Sequence, residues 1–111
     1  MAYNAPITDF RFILYNVLGA DRLHELEPYS EATPDLMNAI LEEGGRFMKE
    51  VMEPTNIPGD REGCQFNPSD ASVTTPTGFR DAYRQFAEGG WTALDAPAEY
   101  GGQGLPHILK F

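Results

Sequence analysis

Apolar residues return at helical intervals in three stretches of this chain. Phe10, Ile13, Leu14, Val17 and Leu18 follow the i, i+3, i+4, i+7, i+8 pattern of a helix with one buried stripe. Thr8 or Asp9 is placed to cap its free N–H groups, and Gly19 stands where a left-handed terminating residue is wanted, so a helix is predicted from about Asp9 to Leu18. A further short helical turn is expected over Asp21 to Leu26. The second stretch has the clearest start. Thr33 can cap, Pro34 suits the first helical position, and Asp35 favours the positive end of the helix dipole. Its apolar set, Leu36, Met37, Ile40, Leu41, Phe47, Met48, Val51 and Met52, covers a face wide enough to meet more than one neighbour. Gly44-Gly45 interrupts it at a cost of roughly 1 kcal/mol per Gly against Ala, which a kink or a very close crossing would justify. Pro54 is expected to end this helix near Glu53. Thr77 can cap a third helix carrying an aromatic stripe, Phe79, Tyr83 and Phe86, closed by Gly89-Gly90.

Between these helices the pattern is lost. Residues 56 to 76 read as irregular, with Pro58-Gly59-Asp60, Asn67-Pro68 and a polar run from Ser69 to Thr75; Val73-Thr74 could be extended, but no partner strand is visible. Pro97 to Pro106 is dense in turn residues, and His107 to Phe111 opens like another apolar helix. Ending there without a polar cap suggests a truncated sequence. The fold class expected is all-α, with about three to four helices and long irregular loops.

Composition narrows the function. With 41% hydrophobic residues in 111, the chain is too apolar for intrinsic disorder and long enough for one modest core. Net charge −9 disfavours nucleic acid, whose phosphates would be repelled. No basic amphipathic stretch points to anionic lipid, and no apolar run approaches the roughly 20 residues of a membrane helix. Residues Met1 to Phe10 lack a secretory signal pattern, and the single Cys64 permits no internal disulfide, so a cytoplasmic protein is the simplest expectation.

The candidate chemistry is thin. Gly101-Gly102-Gln103-Gly104 could cradle phosphate, but it lacks the G-x-G-x-x-G spacing and the P-loop lysine, and a tight turn is the ordinary role of such glycines. Asp60, Arg61 and Glu62 could act as a catalytic acid cluster; solvated surface, or a loop-anchoring contact, is the plainer use. Cys64 has no assignable His partner and is read as a small buried hydrophobe. His24 and His107 do not have metal-ligand spacing. Phe79, Tyr83, Phe86 and Trp91 could stack on a ligand ring but at helical spacing are read as core, as are Met37, Met48 and Met52.

Three segments carry a resemblance. Tyr3-Asn4-Ala5-Pro6-Ile7-Thr8-Asp9-Phe10-Arg11-Phe12 resembles the opening of one branch of the acyl-CoA dehydrogenase family, the methylthiopropanoyl-CoA dehydrogenase-like branch. Gly59-Asp60-Arg61-Glu62-Gly63-Cys64 looks like that branch's loop. Thr75 to Tyr83, Glu88 to Trp91 and Pro97 to Pro106 are similar to the family's helix, turn and Pro-x-Glu-Tyr-Gly-Gly-x-Gly signature. The resemblance implies a piece of a FAD flavoprotein, an oxidoreductase of fatty acid metabolism. In the parent a glutamate base removes the α-proton of an acyl-CoA thioester and the flavin accepts hydride from the β-carbon. It divides the chain into 1–32, an N-terminal extension helix segment, and 33–111, the first part of a truncated N-terminal helical domain. The base and most FAD contacts would lie beyond Phe111. No catalytic, cofactor-binding or metal-ligating residue is therefore assigned here, and no cofactor is expected for the chain alone. The partners implied are acyl-CoA, the remaining domains and further copies of the parent. A stand-alone helical interaction or self-association module is the alternative, and a small enzyme using Asp60 and Glu62 ranks behind it.

Overall fold

A computed structural model of the chain describes residues 2–110. Helix α1 (Ile7–Arg11) runs on through wider π-helical turns, Phe12–Val17, and stops at Gly19, whose left-handed φ of 64° matches its expected role. Neither Thr8 nor Asp9 caps it, since the helix already begins at Ile7, behind Pro6. Two 3-10 turns, Ala20–Glu25 and Glu27–Tyr29, lead to α2 (Pro34–Phe47). There Thr33 Oγ1 accepts the Leu36 N–H at 3.2 Å, and Pro34 stands in the first turn, as the sequence predicts.

The second helix does not end at Pro54. π-helical turns, Met48–Met52, carry it into α3 (Glu53–Glu62), a continuous helical path over 34–62. A proline ring clashes with the carbonyl four residues earlier and offers no N–H. Here the Glu53 N–H reaches back five residues to the Met48 carbonyl, and the widened turn makes room for the ring. Pro54 then falls in the first turn of α3, where its missing N–H costs little, and Thr55 Oγ1 donates to the Met52 carbonyl at 2.7 Å.

The stretch predicted to be irregular is also more ordered than its composition suggests. Residues up to Glu62 are helical, and β1 (Gln65–Asn67) pairs antiparallel with β2 (Ser72–Thr74), with Phe66 opposite Val73. Val73-Thr74 thus has its partner in Gln65–Asn67, a strand too short and too polar to show a period of its own. Helix α4 (Phe79–Glu88) starts behind Gly78 in a left-handed conformation, with no cap from Thr77. Short 3-10 turns, Trp91–Ala93, Ala98–Tyr100 and His107–Lys110, finish the described chain; Phe111, included in the expected last helix, lies outside it. All-α with loops is thus the architecture, apart from the small hairpin.

The core sits at one end. Leu14, Ala20, Ala32, Met37, Leu94, Leu105 and Leu109 cluster where α1, the start of α2 and the C-terminal turns meet; Met37 is 0% exposed. Gly44 and Gly45 produce close approach rather than a kink. A Cβ on Gly45 would lie 3.0 Å from that of Ala5, and one on Gly44 would lie 3.5 Å from the Trp91 ring. The far end, with α3, the hairpin and α4, contributes no member to this cluster. The result is a flat body, 57 × 37 × 18 Å, with a radius of gyration of 17.5 Å. A compact domain of this length has a radius near 13 Å. Its accessible surface is 8022 Å², against about 6,100 Å² for a compact monomer of equal mass.

Candidate functional site

The glycine turn is the most chemically suggestive motif, and its geometry removes the phosphate reading. Gly101 and Gly104 have left-handed φ values of 83° and 64°, which fold residues 97–105 back on themselves. Five successive amides are then consumed internally. Gly101 N donates to Ala98 O, Gly102 N to Pro97 O, Gln103 N to Ala93 O, Gly104 N to Ala96 O and Leu105 N to Leu94 O, at 2.9–3.1 Å. An anion site needs donors pointing outward, and these point inward. Gly102 is required for a second reason: a Cβ there would stand 2.0 Å from the Ala96 carbonyl oxygen.

Beside this turn Asp95 accepts hydrogen bonds from His107 Nδ1 and Lys110 Nζ, the latter at 3.2 Å. The two contacts, His107 first, hold the Asp95 carboxyl below the ordinary aspartate range. They tie the last turn to the segment that precedes the glycines. Asp95 carries no signal in the sequence, because its partners lie 12 and 15 residues away in a stretch without periodicity.

The other candidates are dispersed. Glu62 anchors a loop: its Oε2 accepts the Thr77 N–H at 2.7 Å, while Asp60 and Arg61 are exposed. Cys64 is exposed rather than buried, in the short link between the end of α3 and the hairpin's first strand. Among the described residues no group of His, Cys, Asp and Glu could hold a metal ion. The aromatic stripe is only partly core. Phe47 packs against Phe86 and Trp91 with ring centroids 6.1 Å apart, and Phe79 lies over Gly59, but Tyr83 is 67% exposed. Of the methionines read as core, Met37 is buried, Met52 is half-buried and Met48 is exposed.

One polar set was legible but missed. Arg11 and Tyr15 are four apart on the first helix, Asn38 and Glu42 four apart on α2, so each pair lines one helix face. Tyr15 donates to Asn38 Oδ1 at 2.8 Å, Arg11 Nε to the same oxygen at 3.2 Å, and the Arg11 guanidinium pairs with Glu42. Burial pushes the Tyr15 phenol up, against the pull of Arg11. This set locks α1 onto α2 and holds no group poised for chemistry.

The described residues also form concave surface. A groove of about 860 Å³ runs between the lead-in (Tyr3, Asn4) and the long helix, lined by Met48, Met52, Asp60 and Phe79. A second, about 660 Å³, lies between α2 and the glycine turn, against Leu36, Ile40, Trp91 and Leu105. Both are broad and open. Among the described residues that line them, neither groove sets a nucleophile beside a hydrogen-bonded base.

No family model matches the chain. Two curated relatives do match it. The 3-methylmercaptopropionyl-CoA dehydrogenase of Ruegeria pomeroyi is 38% identical over 109 residues, 98% of this chain and 18% of the relative. The broad-specificity linear acyl-CoA dehydrogenase FadE5 of Mycobacterium tuberculosis is 27% identical over 107 residues, 96% of this chain and 18% of the relative. The chain thus spans less than a fifth of the length of the curated relatives it matches, and along nearly all of its own length it is similar to these acyl-CoA dehydrogenases.

Proposed function

We propose, starting from this kinship with acyl-CoA dehydrogenases, that the chain is the N-terminal helical part of an FAD-dependent acyl-CoA dehydrogenase, where it serves as scaffold and as wall of the acyl pocket. Residues 1–32 form the extension that α1 belongs to, and 33–111 the first part of the helical domain. The substrate is an acyl-CoA thioester, with the sulfur-containing or linear acyl groups named for the two relatives as the first to try. The parent works in the cytoplasm as a homo-oligomer; among the described residues no helix is long and apolar enough to cross a membrane.

The observation that carries this reading is the collinear match over 98% of the chain to 18% of a dehydrogenase. The shape agrees with it. A body whose radius and surface exceed those of a compact monomer, with its core at one end, is built to be covered. The described residues do not fit a flavin by themselves. The one glycine-rich amide run is spent on its own carbonyls, and the net charge of −9 opposes a bound pyrophosphate. No step of dehydrogenation is therefore assigned to these side chains.

The test is purification of the chain with added FAD, followed by assay against 3-methylmercaptopropionyl-CoA and linear acyl-CoAs. No flavin absorbance and no turnover are expected. A yellow, active protein would overturn the reading. The exposed apolar residues also favour a stand-alone association module as a second reading. A monodisperse monomer by light scattering, with cooperative melting, would count against it.

A further inference from the structure

The hairpin is a formed element whose strand residues are all exposed. Phe66 and Val73 are direct cross-strand partners, so they share one face, and they are 65% and 60% exposed. Gln65, Asn67, Ser72 and Thr74 occupy the opposite, polar face. Two strands alone are marginal in water. This ribbon is nevertheless tied at both ends. At the tip, Asn67 Oδ1 accepts from the Ser69 N–H at 3.1 Å and from its hydroxyl at 2.7 Å, and Asp70 Oδ1 accepts the Ser72 N–H at 3.0 Å. Ala71 is held at φ 56°, a conformation L-residues adopt at a cost of about 1–2 kcal/mol. At the base, Glu62 clamps both strands' approaches: its carbonyl accepts from Gln65 Nε2 at 3.0 Å and its carboxylate accepts the Thr77 N–H. Local polar bonds thus preorganise an apolar face that nothing among the described residues covers.

We infer that this ribbon is a docking element, which seats Phe66 and Val73 on the acyl-CoA dehydrogenase polypeptide that lies outside the matched stretch in the relatives. The inference rests on the function proposed above. Three observations select this occupant. In both relatives more than four fifths of the chain lies outside the match. The surplus of exposed surface over a compact monomer, about 1,900 Å², is what one side of an extensive permanent interface loses. A second copy is the poorer candidate, because it would bring a further net charge of −9 against the first across a small contact. Preorganisation removes much of the ordering cost of binding, so two apolar side chains suffice to anchor the ribbon.

The experiment co-expresses this chain with the portion of the Ruegeria pomeroyi dehydrogenase outside the matched stretch and measures the dissociation constant of the pair. Phe66→Thr with Val73→Thr keeps strand-forming residues while removing the apolar face. Phe66→Leu with Val73→Ile keeps that face. Both variants are expected to melt as the parent chain does, since the sites are exposed. The threonine pair should bind at least about tenfold more weakly, and the aliphatic pair as the parent chain does. Equal binding by the threonine pair would overturn the docking inference and leave the proposed function standing. Failure of the unaltered chain to bind at all would overturn both. A dimer of the chain alone that the threonine pair dissolves would make a second copy the occupant and equally overturn the inference.

Discussion

Replacing Gly102 by alanine sets a Cβ 2.0 Å from the Ala96 carbonyl oxygen, more than about 1 Å inside the closest approach of a carbon to a carbonyl. Both partners are backbone, so no side chain can swing aside, and the turn itself must open. Opening it lengthens the Gly102 N–Pro97 O and Gly104 N–Ala96 O bonds first, at 3.1 and 2.9 Å, then the flanking bonds from Gln103 and Leu105. At about 0.5–1.5 kcal/mol net for each bond, the loss should reach about 2–4 kcal/mol. Gly101→Ala is the control. Its φ of 83° strains an alanine by about 1–2 kcal/mol, yet nothing lies within 4 Å of the new Cβ, so the bonds stay closed. Urea denaturation followed by circular dichroism gives the energies, and amide exchange at Gly104 and Leu105 reports the turn. Both amides should exchange faster in Gly102→Ala and unchanged in Gly101→Ala. If Gly102→Ala stays within about 0.5 kcal/mol of the parent chain with its amides still protected, the account of this motif as a self-bonded turn is wrong.

Met37 is fully buried in the core cluster, so Met37→Ala should cost about 2–5 kcal/mol, which thermal melting would show as a fall of at least about 10 °C. Asp95 makes a pH prediction. Its folded carboxyl titrates below the ordinary value near 3.9, so the unfolded chain binds the proton first as pH falls. Its contribution to stability is therefore complete above pH ~5 and is lost as pH falls through the ordinary aspartate value towards the folded one. Melting temperatures taken from pH 6 down to ~2 should show this, and Asp95→Asn should flatten that part of the curve; an unchanged slope would refute the contacts with His107 and Lys110.

What the sequence determined is what short-range chemistry can decide. Thr33-Pro34 starts α2 because a hydroxyl acceptor and a residue with no N–H meet the needs of a helix end, wherever that helix sits. Gly19 and Gly90 terminate helices because only glycine takes a positive φ cheaply. The family resemblance was legible for a related reason, since the Gly-rich signature is a turn that bonds almost entirely to its own neighbours. Tertiary structure decided the rest. Pro54 breaks a helix only if the preceding turn stays α-helical, and the wider turns at Met48–Met52 remove that condition. Gln65–Asn67 became a strand because Ser72–Thr74 lies beside it, and three residues show no period alone. Burial of an apolar residue depends on what the chain is packed against. Met37 meets the core and disappears from solvent, while Phe66, Val73 and Tyr83, as apolar or nearly so, stay largely exposed because they lie away from the core cluster.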